Sequence, residues 1–195
     1  MSDPVEVLDF RLGEVGPEGW YAGGEALDAE CRLRFGDLWQ VAHEGGLEHW
    51  VEGAAGTLAY LVICDQLARN IHRGRAEAFA TDAKAQAAAR KVVAAGWDLE
   101  APEPERQLFY MPLEHSEDAA DQALAVQLLT ERLASDPEMA LHARAHQAII
   151  ARFGRFPFRN AALGRETTPE EAEFLANGGY AAEVARQRAS HAPGA

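Results

Sequence analysis

Lysine is nearly absent from this chain. Only Lys84 and Lys91 occur, and arginine supplies the rest of the 18 basic residues. These bases face 31 acids, for a formal net charge of -13. That balance argues against a nucleic-acid partner, because such proteins usually carry a basic excess. It argues equally against an anionic membrane surface. Cysteine is as scarce. Cys31 and Cys64 stand too far apart for a CxxC motif, which excludes a zinc knuckle and a thioredoxin-type motif. No run approaches the roughly 18 consecutive apolar residues that a membrane span needs. Asp3, Glu6 and Asp9 stand where a secretory signal would carry bases, and this predicts a cytoplasmic protein. No GxSxG elbow, P-loop or GxGxxG occurs, and neither cysteine has the local signature of a nucleophile.

What is present suits one globular domain. Apolar residues make up 48% of the 195, enough for a core and too many for a disordered chain. We expect a single helical domain over 1–189 and a frayed tail over 190–195. No stretch alternates with period two, so the expectation is all helix. Pro4 to Leu12 reads as a first short helix, and the glycines from Gly13 to Gly24 mark a loop. Leu27, Cys31, Phe35 and Leu38 recur at helical spacing, in a helix closed by Gly45 and Gly46. A short helix is read over Leu47 to Val51, a buried one over Gly56 to Asn70, and an alanine-rich one over Asp82 to Ala95, stopped by Gly96. Pro102 to Tyr110 reads as a turn or short helix. Ser116 can cap a helix to Leu133, and Asp136 with Pro137 opens another that ends near Gly154. Thr168, Pro169 and Glu171 form a capping box for a last helix to about Asn177. Short connections suggest antiparallel helix pairs.

The arginines are unevenly placed. Arg69, Arg73 and Arg75 lie in a segment free of acids, Gln66 to Ala76, and Arg152, Arg155, Arg159 and Arg165 lie in another, Ala151 to Arg165. Brought together by folding, such segments make a cationic spot that grips carboxylate or phosphate. The other reading pairs them with acids from other helices. Four constellations carry the candidate chemistry. Asp65 and Arg69, like Gln66 and Asn70, share a helix face at spacing four, so an apolar segment ends in a polar quartet. His115 follows Glu114 just before a helix and is trailed by Glu117 and Asp118, a setting for general acid or base work. His142 and His146 stand four apart on one helix, a spacing compatible with a metal but without the glutamate of HExxH, and we assign no metal. The stretch from Arg152 through Phe153, Phe156 and Phe158 to Asn160 can anchor a loop by its aromatics and hold its arginines rigid.

These residues also carry a family likeness. Val7 to Phe10, Asp65-Gln66 with Arg69-Asn70 and Arg73-Gly74, and Ala78 to Asp82 match it. So do Phe109 to Asp118 with Gln122, His146, Ile149-Ile150, Arg152 to Asn160, and Leu163 to Arg165. Over nearly its whole length the chain resembles the bacterial family of domain of unknown function 924, assigned to the TPR-like helical superfamily. The resemblance implies an all-α, TPR-like bundle of paired antiparallel helices and no established activity. Two departures stand out: Leu67-Ala68 replaces the family's usual Phe-Pro, and Phe158 replaces a frequent histidine, so we place no catalytic histidine there.

The sequence therefore supports two functional expectations. In the first, a cleft binds a small anionic molecule, with Arg69, Asn70, Arg73, Arg155, Arg159 and Asn160 as binding residues. Asp65, Glu114, His115 and His146 are then the catalytic candidates for metal-free, cofactor-free acid–base hydrolysis. In the second, a TPR-like scaffold takes a peptide or protein partner through a groove, and the polar motifs lock helices together.

Overall fold

The computed structural model describes residues 3–190. Ser190 closes the last helix, and the remainder of the tail expected to fray, 191–195, lies outside the described residues. Among the described residues the regular structure is helical and no strand occurs. No helix there is long and apolar enough to cross a membrane. The chain forms two compact units, Met1–Pro112 and Leu113–Ala195.

The first unit opens with α1 (Pro4–Leu8), where the Asp3 carboxylate accepts the Val5 N–H at 2.9 Å and Pro4 starts the first turn. The chain then widens into a π-helical stretch, Asp9–Val15, before α2 (Gly16–Gly19). The glycine-rich loop expected from Gly13 is thus partly helical. In α3 (Glu25–His43) the buried stripe is Asp28, Cys31, Phe35, Trp39 and Ala42, and it includes a carboxylate. The buried helix expected from Gly56 is three segments in line: α4 (Ala54–Leu61), a second π-helical stretch (Val62–Leu67) and α5 (Ala68–Ile71). Residues 57–68 are buried on every side, which is why this run is apolar apart from Thr57, Asp65 and Gln66. α1 and α6 (Asp82–Ala95) pack on α4, while α3 packs on the second π-helical stretch and α5. Gly96 ends α6 with a left-handed φ of 74°, as its position predicts.

Gly56 is required by a close approach. A Cβ there would lie well inside the contact distance of the Trp50 carbonyl oxygen and 3.3 Å from its carbon. Both are backbone atoms and cannot swing aside. Gly56→Ala is expected to lower stability by about 1–3 kcal/mol through overpacking. An unchanged urea midpoint would contradict this contact.

The second unit contains the second half of α7 (Met111–Glu114), α8 (Ala119–Arg132), α9 (Pro137–Phe153), α10 (Pro169–Ala176) and α11 (Gly179–Ser190). α9 packs against both α8 and α11. The cap of α8 is Asp118, whose Oδ1 accepts from Ala120 N at 2.8 Å and Asp121 N at 3.1 Å; Ser116 instead accepts from Asp118 N. Gly154 stops α9 at φ 68°, and the Thr168–Glu171 capping box forms in full. α11 was not anticipated. It begins at Gly179, past the end near Asn177 expected for the last helix, and it buries little apolar surface beyond Val184.

Candidate functional site

In the first unit the two π-helical stretches meet through side chains. Such local widenings are frequent at functional sites. Arg11, 2% exposed, sits in the first; Asp65 and Gln66 sit in the second. Arg11 Nη2 donates to the Trp20 carbonyl at 2.9 Å and to Gln66 Oε1 at 3.1 Å. Gln66 Nε2 donates to Asp65 Oδ2. Arg69 then donates to Asp65 Oδ1 at 3.2 Å and to Asp82 Oδ1 at 2.7 Å. A neighbouring group centres on Asp28, whose Oδ1 accepts from Asn70 Nδ2 and from Arg73 Nη2, each at 2.8 Å. The Arg73 guanidinium holds the Asp28 carboxyl below its ordinary range. Burial pushes the Cys31 thiol up to about 11 and Cys64 to about 12. Both therefore stay protonated and are poor nucleophiles.

In the second unit the central contact joins α7 to α9. His146 Nδ1 lies 3.2 Å from Glu114 Oε1, and the two side chains are 13% and 3% exposed. Burial pushes the imidazole below its ordinary pKa of 6.5, against the opposing pull of Glu114; the positive charges of His115 and Arg159 push the same way as burial. The His146 ring is therefore neutral at pH 7. Its neighbours are rings: His115 edge-on at 6.0 Å, Phe156 edge-on at 5.4 Å and Tyr180 stacked at 4.7 Å. The Tyr180 hydroxyl lies 2.6 Å from His142 Nδ1, so the histidine four residues before His146 pairs with a phenol.

The turn that carries Glu114 and His115 is pinned from inside. Gln122 Nε2 donates to the carbonyls of Glu114 and Ser116, each at 2.6 Å, and Arg159 Nη2 donates to that of His115 at 2.9 Å. The loop after α9 is held by two carboxylates. Glu117 accepts from Phe156 N at 2.9 Å and from both Arg165 Nη atoms at 2.8 and 2.9 Å. Glu171 accepts from Arg155 Nε at 2.6 Å, Arg155 Nη2 at 2.8 Å, Thr168 N at 2.8 Å and Asn160 Nδ2 at 3.2 Å. Arg155 above all holds the Glu171 carboxyl down to about 2.

The candidate residues thus divide between the units. Asp65, Arg69, Asn70 and Arg73 belong to the first, each engaged with a carboxylate or, for Asp65, with Arg69 and Gln66. Glu114, His115, His146, Arg155, Arg159 and Asn160 belong to the second, where Glu114, His115, His146 and Arg159 come together. The sequence places an acid beside His115, yet the acid that engages a ring is Glu114, and the ring is that of His146. Arg11, Asp28 and Tyr180 were not anticipated as members of either group. Among the described residues, no three His, Cys, Asp or Glu side chains gather as a metal set.

The lowered His146 pKa couples its protonation to stability. The folded protein binds this proton less tightly than the unfolded chain, so the unfolded state gains protons first as pH falls. His146 therefore supports the fold fully above about pH 6.5, and this support is lost on acidification through the window below it. The ring C2–H resonance of His146 is expected to titrate below 6.5. Titration at or above that value would show that Glu114 dominates over burial.

The described residues define an all-helical protein, with a buried ion-pair network in the first unit and a carboxylate–imidazole pair in the second. A profile described as bacterial protein of unknown function (DUF924) matches residues 7–179, and the chain belongs to that family. A solved structure, a protein of unknown function, ATU0120, from Agrobacterium tumefaciens, shares the fold with a TM-score of 0.83 and 37% identity. The match covers 89% of this chain and 97% of that one. No curated protein matches the sequence.

Proposed function

We propose that the second unit binds a small carboxylate or phosphate beside the Glu114–His146 pair and uses His146 as a general base. One observation carries this reading: a neutral, largely buried imidazole, oriented by a carboxylate through Nδ1, with the Arg159 guanidinium close enough to bias its protonation. Facing a carboxyl oxygen, Nδ1 holds the ring proton, and Nε2 is the nitrogen with the lone pair. In hydrolysis, Nε2 takes a proton from water as the water oxygen attacks, then returns it to the leaving group. Arg159 supplies positive charge for the anion, with the His115 ring beside it. Arg155 and Asn160 act at one remove, holding the loop through Glu171.

The test is a melting screen with inorganic phosphate and acetate as probes. Either anion is expected to raise the midpoint by several degrees near saturation, roughly as expected from linkage. The shift should vanish in Arg159→Gln. A folded wild-type protein that no probe anion stabilises would overturn the reading. Activity is read with p-nitrophenyl acetate, whose hydrolysis should fall in His146→Gln.

The alternative, a TPR-like scaffold with its polar motifs as a structural network, draws support from the first unit. There Arg69 and Arg73 already spend their charge on Asp65, Asp82 and Asp28. A pull-down that recovers a defined peptide partner while no anion shifts the midpoint would favour it.

A further inference from the structure

We propose that the anion taken by this site carries a flat aromatic group, and that Phe158 selects it; the inference rests on the reading just given. The loop after α9 turns four of its residues inward. Phe156, Pro157, Arg159 and Asn160 are buried, while Phe158 between them is 44% exposed. This exposure is not slack. Arg159 N bonds to the Phe156 carbonyl at 3.0 Å, Asn160 N bonds to the Pro157 carbonyl at 3.1 Å, and Phe156 N is tied to Glu117. A backbone fixed on both sides thus holds a large apolar ring half in water.

The ring also has a defined setting. It lies nearly parallel to Phe156 at 5.2 Å and 27°, and edge-on to Tyr180 at 6.5 Å. Phe156 and Tyr180 are two of the rings that flank His146. Phe158 therefore extends, outward, the aromatic wall that begins at the imidazole. The Arg159 guanidinium lies 4.5 Å over the Phe156 ring, so positive charge and aromatic surface come from adjacent residues of one rigid turn. A ligand with a carboxylate at one end and a ring at the other matches both. Its charge meets Arg159, and its face covers Phe158 in an offset-stacked or edge-on contact. Covering that exposed ring area removes apolar surface from water, which a bare anion cannot do.

The experiment compares three carboxylates of equal charge on the full chain: acetate, benzoate and cyclohexanecarboxylate. Binding is followed by the C2–H resonances of His115 and His146. Benzoate is expected to bind about tenfold more tightly than acetate. Phe158→Ala, at an exposed position, should bring benzoate down to the acetate level and leave acetate unchanged. Equal binding of acetate and benzoate by the wild type would overturn the proposal, as would a benzoate preference that survives Phe158→Ala. Cyclohexanecarboxylate matching benzoate would show that apolar bulk rather than a flat ring is selected, which also overturns it. If neither acetate, benzoate nor phosphate binds, the anion site itself falls, and the selectivity with it.

Discussion

Phe156→Ala is expected to lower the unfolding free energy by about 3–5 kcal/mol, the range for deleting a fully buried phenylalanine. The ring is 0% exposed and packs with Ile149 and Ile150, with Phe153, Phe174 and Tyr180 around it. It also meets the His146 ring edge-on and lies beneath the Arg159 guanidinium. Alanine therefore leaves a cavity and removes the surface against which both site residues rest. Phe156→Leu, which keeps most of the volume, should cost clearly less. The wild type supplies a second readout. Burial is the main cause of the low His146 pKa, so opening its wall should move the imidazole titration up toward 6.5. All four tryptophans, Trp20, Trp39, Trp50 and Trp97, lie in the first unit, so urea unfolding of the second is best followed by circular dichroism and histidine resonances. A loss under about 1 kcal/mol with an unmoved His146 titration would mean that Phe156 does not hold this site.

How far the sequence discloses this arrangement depends on the range of each interaction. The capping box at Thr168 and the stops at Gly96 and Gly154 are local, and the residues alone reveal them. The helix expected over Gly56 to Asn70 is present, but its π-helical turn is not legible. A shift from i−4 to i−5 bonding changes the period over a few residues only, and a run buried on every side shows no stripe to track. Ion-pair partners are harder still. Arg73 meets Asp28 from 45 residues away, and Arg165 meets Glu117 from 48. The acid-free arginine segments can be read from the sequence, but what neutralises them is settled by tertiary packing.

The catalytic candidates show the same limit. Glu114 and His115 catch the eye as neighbours, because adjacency is visible in a sequence. The contact that orients a ring instead spans 32 residues, from Glu114 to His146. Tyr180 carries no signal at all. It follows two glycines past the last helix expected, and only the packing of α11 on α9 brings its ring onto His146. Residues that bind through neighbours in the chain are thus easier to foresee than residues that complete a site from another helix.

Arg11→Met is expected to cost about 3–5 kcal/mol, the range for removing one member of a buried charged network. Methionine can fill much of the space but donates nothing. The Trp20 carbonyl and Gln66 Oε1 would each lose a charged donor, and Asp65, 1% exposed, would lose the positive charge that reaches it through Gln66. Arg11→Lys should rescue little, since one Nη group serves two acceptors in a fixed fork and an ammonium on a flexible stem does not reproduce it. The decisive comparison is the double variant Arg11→Met with Asp65→Asn. Removing the carboxylate's charge lessens the penalty of leaving it underpaired, so the double variant should lose less than the sum of the two single losses, by about 0.5–3 kcal/mol. Trp20 provides the probe, because its indole N–H bonds to the Arg11 carbonyl at 2.8 Å and its fluorescence reports the same unit. Strict additivity would carry the opposite meaning. Arg11 and Asp65 would then act independently, and the two π-helical stretches would owe their meeting to apolar packing around Phe10, Leu61 and Leu67 rather than to the charge chain that runs from Arg11 to Asp82.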